Sequence, residues 1–158
     1  MKSFALPLIL LAASLSLPGC VMTIGDTVAS QRAVAPSSAG TLVVRFEGIE
    51  NPSGQILLSL FDNQAAHDGN GTPARVAAIP IDGETALARF EGLAPGPYAI
   101  KAFHDIDGDG NMRTNPFGLP LEPFAFSNNA RAEGGPARWD ATRFAVVTGD
   151  NMVSIRIR

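Results

Sequence analysis

The chain has 158 residues, of which 46% are hydrophobic and 9 are Phe, so it is long enough for one domain with a sandwich-sized core. Only 17% of the residues are charged, below the usual value of about 25%. The net charge is −3, and no clustered basic run occurs, which excludes nucleic acid as the expected partner.

The N-terminus has the pattern of a targeting segment. Lys2 is followed by an apolar stretch over residues 4–17, which is shorter than the roughly 20 residues that a membrane-spanning helix needs. A basic residue before a short apolar stretch is typical of a signal peptide. We therefore predict a signal peptide at residues 1–19.

The segment Leu17-Pro18-Gly19-Cys20 resembles the lipobox of bacterial lipoproteins, with Pro18 in place of the usual Ala or Ser. Cys20 is the only cysteine, so the chain cannot form an internal disulfide, and lipidation would explain this lone thiol. The alternative is an unmodified thiol in an ordinary signal region. Because Val21 and not Asp follows Cys20, the resemblance implies an outer-membrane lipoprotein anchored to the membrane by lipid.

Residues 20–40 lack sustained periodicity and end in Pro-Ser-Ser-Ala-Gly, which predicts a flexible tether. From residue 41 to 158, turn signals separate short runs with the period of two that half-buried strands show. The sequence predicts an all-β domain here, a single antiparallel β-sandwich of about seven strands. The expected strands cover residues 42–47, 55–61, 75–81, 86–91, 98–103, 142–147 and 153–158.

An acidic turn follows the fifth predicted strand. Asp105, Asp107 and Asp109 alternate along the first half of a calcium-binding pattern, and Asn111 could add its backbone carbonyl. The second half does not match, because Pro116 stands where a bidentate Glu belongs. Two interpretations stay open: a structural Ca²⁺ site, and a tight turn whose carboxylates accept hydrogen bonds from local amides.

The two histidines each precede an aspartate. His104 continues the inward-facing residues of the fifth predicted strand, which favours a hydrogen-bonded histidine that fixes the loop over a general base or a metal ligand. His67 and Asp68 lie in an earlier loop. The two His-Asp pairs could in principle build a hydrolytic metal centre, but nothing in their spacing indicates that they meet.

A long loop rich in Phe, Pro and Asn follows the acidic turn. It is a possible binding loop because exposed rings beside amides suit a glycan or protein ligand. In the alternative, the rings cap an open end of the sandwich. The candidate residues of this loop, together with His104, are Phe117, Glu122, Phe124, Phe126 and Asn128.

Two segments carry a family resemblance: FEGLAPGPYAIKAFHDIDGDGN from residue 90, and FGLPLEPFAFSNN from residue 117. They resemble the bacterial envelope family known as domain of unknown function 2141. The resemblance implies a small β-domain behind a signal peptide and brings no established activity. The chain departs from the family at Asn111, Met112 and Arg113, where Lys-Leu-Asp is frequent, and so loses one possible metal ligand. The turn from Leu93 to Tyr98 resembles those of prealbumin-like and carboxypeptidase-regulatory-like sandwiches.

No nucleophile elbow, zinc-protease motif, phosphate-binding loop or dinucleotide fingerprint occurs in the sequence. We therefore expect an envelope lipoprotein whose domain is a binding or accessory module and not an enzyme. One alternative is a small metal-dependent hydrolase that uses His104 and the aspartates. Another is a purely structural envelope protein.

We predict that Cys20 becomes the acylated N-terminus. Mass spectrometry of protein extracted from membranes should find residues 1–19 missing and diacylglycerol on Cys20. Cys20→Ser should release the domain from the membrane without unfolding it. A native form that is soluble and cleaved at another position would contradict the prediction.

Overall fold

A computed structural model describes residues 39–158. The predicted signal peptide, Cys20 and nearly all of the predicted tether lie outside the described residues. Within residues 39–158, no helix is long and apolar enough to cross a membrane.

The described residues form eight strands, two one-turn helices and one short 3₁₀ helix. The strands are β1 (Gly40–Glu47), β2 (Gln55–Phe61), β3 (Arg75–Pro80), β4 (Ala86–Leu93), β5 (Gly96–Asp105), β6 (Phe124–Phe126), β7 (Phe144–Val146) and β8 (Gly149–Arg156). Helix α1 is Gln64–His67, helix α2 is Trp139–Thr142, and the 3₁₀ helix is Ser127–Asn129.

The strands form two sheets. One sheet has three strands in the order β4-β1-β8, and the other has the order β3-β2-β5-β6, with β7 also paired to β5. One pair differs from the expected antiparallel arrangement, because β1 and β8 run parallel from Gly40↔Gly149 to Glu47↔Arg156. These strands stand at opposite ends of the domain sequence, so no tight hairpin forces them to be antiparallel.

The core lies between the two sheets. Leu42, Val44 and Phe46 of β1 are fully buried, and they pack with inward-facing residues of β2 and β5 such as Ile56 and Ile100. This alternation follows from the period of two in a strand, which sends successive side chains to opposite faces. The prediction of an all-β sandwich is confirmed.

A smaller apolar cluster covers part of the outer face of the five-stranded sheet. Phe61 and Ala99 project outward from β2 and β5, and Ala66 of α1 and Trp139 of α2 pack on them. Asn63 caps α1 by accepting a hydrogen bond from the Ala66 amide at 2.9 Å. Each helix has four residues, too few to give a 3.6-residue period, so the sequence did not predict them.

Candidate functional site

The acidic turn brings three carboxylates together at the end of β5. Oxygens of Asp105, Asp107 and Asp109 all lie within 4.8 Å of one another. Asp105 is fully buried, whereas the other two are exposed. In the described part of the chain this is the one group of acidic, His or Cys side chains close enough to share a metal ion.

Both oxygens of Asp105 accept hydrogen bonds from the protein. Oδ1 accepts from the Gly108 amide at 2.9 Å, and Oδ2 accepts from the Gly110 amide at 3.0 Å and the Gln55 side chain at 2.9 Å. Gly108 and Gly110 have φ values of 76° and 80°, which favour glycine. The Gln55 hydrogen bond, followed by those of the backbone amides, outweighs burial and lowers the pKa of Asp105.

The carboxylates of the two exposed aspartates also have polar partners in the protein. Asp107 Oδ2 lies 3.3 Å from Arg113 Nη1, and Asp109 Oδ1 accepts from the Asn111 amide at 2.7 Å. The Asn111 side chain donates to the Asp109 carbonyl at 3.0 Å. Arg113, which departs from the family pattern, therefore places a positive charge beside the turn. The hydrogen-bonded turn needs no ion to satisfy these carboxylates.

Glu122 fixes the base of the long loop. Its carboxylate is 3% exposed and accepts from the Ile106 amide at 3.1 Å and the Arg113 amide at 3.0 Å. A buried carboxylate must be compensated by such donors. Glu122 is therefore an internal support of the loop and does not face a ligand, contrary to its assignment to a binding surface.

His104 is 1% exposed, which confirms the expectation of a buried, hydrogen-bonded histidine. Its Nε2 donates to the Ser53 carbonyl at 2.7 Å, in the connection between β1 and β2. Only its backbone amide bonds to the long loop, at the Pro123 carbonyl 2.8 Å away. His104 thus joins two connections at one end of the sandwich and does not line a ligand surface.

The phenylalanines of the loop have different environments. Phe117 is 88% exposed at the tip, where Asn115 Oδ1 accepts from the amides of Phe117 and Leu119. Phe126 is buried, and Phe124 is half-buried with its ring 5.7 Å from that of Phe126. The expected set of rings therefore does not form one surface.

The corner after β6 is held by polar side chains. Ser127 Oγ is buried, accepts from the Ile100 amide at 2.9 Å and lies 2.6 Å from the Thr142 carbonyl. Asn128 has φ 59°, and its Nδ2 donates to the carbonyls of Ala141 at 3.2 Å and Arg143 at 2.9 Å. Asn tolerates this left-handed conformation better than most residues. The contacts of Asn128 support the fold.

A cleft that the sequence did not indicate lies outside the five-stranded sheet, between α1 and α2. We call it the Lys101 cleft, and its volume is about 520 Å³. It is lined by Gln64, His67, Asp68, Gly69, Lys101 and residues 136–140. These residues come from three distant parts of the sequence, so no spacing pattern could reveal their proximity.

Lys101 lies half-buried in this cleft, on the outer face of β5. Its ammonium group donates to the His67 carbonyl and lies 5.4 Å from the centre of the Phe61 ring. Burial lowers the pKa of Lys101, and the negative charge of Asp68 partly opposes this shift. A partly desolvated cation in a concave surface is a candidate for ligand contact.

Behind the cleft, His67 bridges Asp68 and Thr142. Its Nδ1 donates to Asp68 Oδ1 at 2.9 Å, which lowers the pKa of Asp68, and its Nε2 lies 3.3 Å from Thr142 Oγ1. The arrangement of an acid, an imidazole and a hydroxyl resembles a catalytic triad, in which the histidine activates the hydroxyl as a nucleophile. However, His67 is 1% exposed and Thr142 is fully buried, so no substrate reaches the hydroxyl.

The Thr142 hydroxyl also lies 3.1 Å from the carbonyls of both Arg138 and Trp139. His67 in turn makes edge contacts with the rings of Phe61 and Trp139 at 5.5 and 5.6 Å. These contacts give the bridge a structural role, in which it holds α1 and α2 on the sheet.

Asp105 should make the stability of the domain dependent on acid. Its folded-state pKa lies below the ordinary 3.8, so its contribution is complete above about pH 4 and is lost as the pH falls through the folded-state pKa. Asp105→Asn, which cannot accept every one of these bonds, should be less stable at pH 7 and lose less stability on acidification. Chemical denaturation between pH 7 and pH 2 measures both effects.

The matched control is Asp150→Asn, at an exposed position of β8. Its free energy of unfolding should equal that of the native protein at every pH. Equal acid sensitivity of native protein and Asp105→Asn would show that this carboxylate does not stabilise the fold.

Comparison with known proteins gives one match. The family of uncharacterized proteins conserved in bacteria, DUF2141, matches residues 44–154, which is more than half of the chain and most of the sandwich. No curated protein and no solved structure matches the chain. The match covers the acidic turn, the long loop and the Lys101 cleft, and on this basis the chain belongs to the DUF2141 family.

Proposed function

We propose that the protein is a lipid-anchored binding module of the bacterial cell envelope, held at the outer membrane by Cys20, and not an enzyme. Its ligand site is the Lys101 cleft. The observation that carries this proposal is the half-buried side chain of Lys101, a cation that lines a concave surface of about 520 Å³, a volume typical of small-ligand sites.

The charges on the walls of the cleft indicate the class of ligand. Lys101 and Arg138 contribute positive charge, and Asp68 and Asp140 contribute negative charge. Gln64 adds an amide that can donate and accept. A lining with both signs and an amide suits a polar ligand with several hydrogen-bonding groups, such as an envelope glycan or a peptide.

A binding role fits the histidines better than the hydrolase alternative. His67 and His104 are both buried, and each has a hydrogen-bonding partner inside the protein. A general base needs to reach the proton that it removes, directly or through one water molecule. Under a purely structural role, the other alternative, Lys101 would only hold α1 on the sheet through the His67 carbonyl, and the cleft would bind no ligand.

We predict that muramyl dipeptide, a probe with a sugar and a peptide part, binds the mature protein in the Lys101 cleft. Lys101→Met keeps most of the side-chain length and removes the charge, so affinity should fall at least tenfold, or about 1.4 kcal/mol. Titration calorimetry measures the affinity, and NMR shifts should map to Gln64, Gly69 and residues 136–140.

The control is Arg45→Met, which removes an exposed cation from the three-stranded sheet. It should bind the probe as the native protein does. The absence of muramyl dipeptide binding at millimolar concentration would contradict a glycan or peptide site in this cleft. An equal loss of affinity in Lys101→Met and Arg45→Met would contradict it as well.

We also propose that Ca²⁺ is an optional, weak ligand of the acidic turn. The supporting observation is that three carboxylates lie within 4.8 Å of one another. The absence of a bidentate Glu and the nearby Arg113 charge both limit affinity, so we expect a Kd of about 1 mM, as in extracellular modules.

At 10 mM Ca²⁺ this affinity stabilises the folded state by about 1.4 kcal/mol and raises the melting temperature by a few degrees. Mg²⁺ should have less effect because it requires stricter octahedral geometry. Thermal melting in Ca²⁺, in Mg²⁺ and in EDTA measures these changes in melting temperature. Asp109→Asn should lose the rise in melting temperature that Ca²⁺ causes. Identical melting temperatures in all three would rule out a bound cation.

A further inference from the structure

A second concave surface lies where the edges of the two sheets meet, beside β6 and the end of β8. We call it the arginine groove, and its volume is about 370 Å³. It is lined by three arginines, Arg131, Arg156 and Arg158, by the rings of Phe124 and Phe126, and by small neighbouring residues. It shares no residue with the Lys101 cleft.

The backbone holds this groove rigidly. The amide of Phe124 donates to the Arg158 carbonyl at 2.9 Å, and the Arg158 amide donates to the Phe124 carbonyl at 3.3 Å. The Arg156 amide donates to Asn129 Oδ1 at 2.8 Å, and Asn129 has φ 53°. Ile155 and Ile157 are buried, whereas Arg156 and Arg158 are exposed, so the alternation of β8 continues past its end and both arginines lie on the side away from the core.

The side chains that line the groove carry three positive charges. Four other arginines of the described residues, at positions 45, 89, 113 and 143, each form an ion pair with a neighbouring carboxylate. Arg131, Arg156 and Arg158 form none within residues 39–158, as is also true of Arg75 and Arg138, and no acidic side chain lines the groove. In a chain with net charge −3, this is a local positive site.

The geometry points to a phosphate-bearing ligand with a sugar-sized body. The planar guanidinium group matches phosphate oxygens with paired hydrogen bonds, and three such groups exceed what one carboxylate needs. The half-buried ring of Phe124 offers an apolar surface to the body of the ligand. We propose that the arginine groove binds a sugar phosphate unit, independently of any ligand in the Lys101 cleft.

A phospholipid headgroup carries the same phosphate chemistry, and titration with vesicles separates it from a soluble sugar phosphate. The chain enters the sandwich at Gly40, which is paired with Gly149 at the start of β8. The arginines lie at the other end of the same strand, about 23 Å away for seven residues of strand.

The test uses the Cys20→Ser form, which lacks the lipid that would itself insert into vesicles, and three probes: glucose 6-phosphate, glucose, and vesicles of phosphatidylglycerol. Calorimetric titration should show glucose 6-phosphate binding at least tenfold more tightly than glucose, with the affinity falling as NaCl rises from 50 to 300 mM. Arg156→Gln and Arg131→Gln should each weaken binding at least fivefold. Arg131 lies outside the strands, so its substitution leaves the backbone hydrogen bonds between Phe124 and Arg158 unchanged.

Arg156→Lys keeps the charge and loses the paired hydrogen bonds, so it should bind less tightly than the native protein. Arg45→Gln and Arg89→Gln, both on the three-stranded sheet, should bind glucose 6-phosphate normally. Equal affinity for glucose and its phosphate, unchanged affinity in Arg156→Gln, or binding to the vesicles alone would overturn the proposal.

Discussion

The loop end of the sandwich depends on the compensation of two buried carboxylates, Asp105 and Glu122. A charge out of water is costly unless donors surround it, and both groups accept backbone N–H bonds. Asp105 closes the acidic turn, and Glu122 joins the two sides of the long connection between β5 and β6. This connection places β6 beside β5, and β6 forms one wall of the arginine groove.

The parts of the fold that could be predicted from sequence are those in which local alternation of side chains determines the structure. The strands β1 to β5 follow from local alternation, as at Leu42, Val44 and Phe46, and they lie close to where the sequence predicts them. Strand β8 begins at Gly149, four residues before its predicted start, and Thr142, predicted as the start of a strand, ends α2. Strand β6 has three residues and pairs with β5 over only Lys101 to Phe103. Such a short strand exists because its neighbours position it, and a local pattern therefore cannot predict it.

The candidate sites could be predicted only in part, for a related reason. The acidic turn is contiguous, so the clustering of Asp105, Asp107 and Asp109 follows from the sequence. The surroundings of Glu122 and His104 depend on distant backbone groups, and both side chains lie inside the domain. The Lys101 cleft and the arginine groove each combine segments that are far apart in sequence, and nothing local distinguishes Lys101 or Arg156 from ordinary outward-facing strand residues.

The parallel pairing of β1 and β8 decides where the chain enters the sandwich relative to the arginine groove. Gly40, at the start of β1, is paired with Gly149, and Glu47, at the end of β1, is paired with Arg156. Seven residues of strand separate the two ends by about 23 Å. Antiparallel pairing of these two strands would place Arg156 beside Gly40, so the parallel direction separates the groove from the entry point of the chain by the full length of the strand.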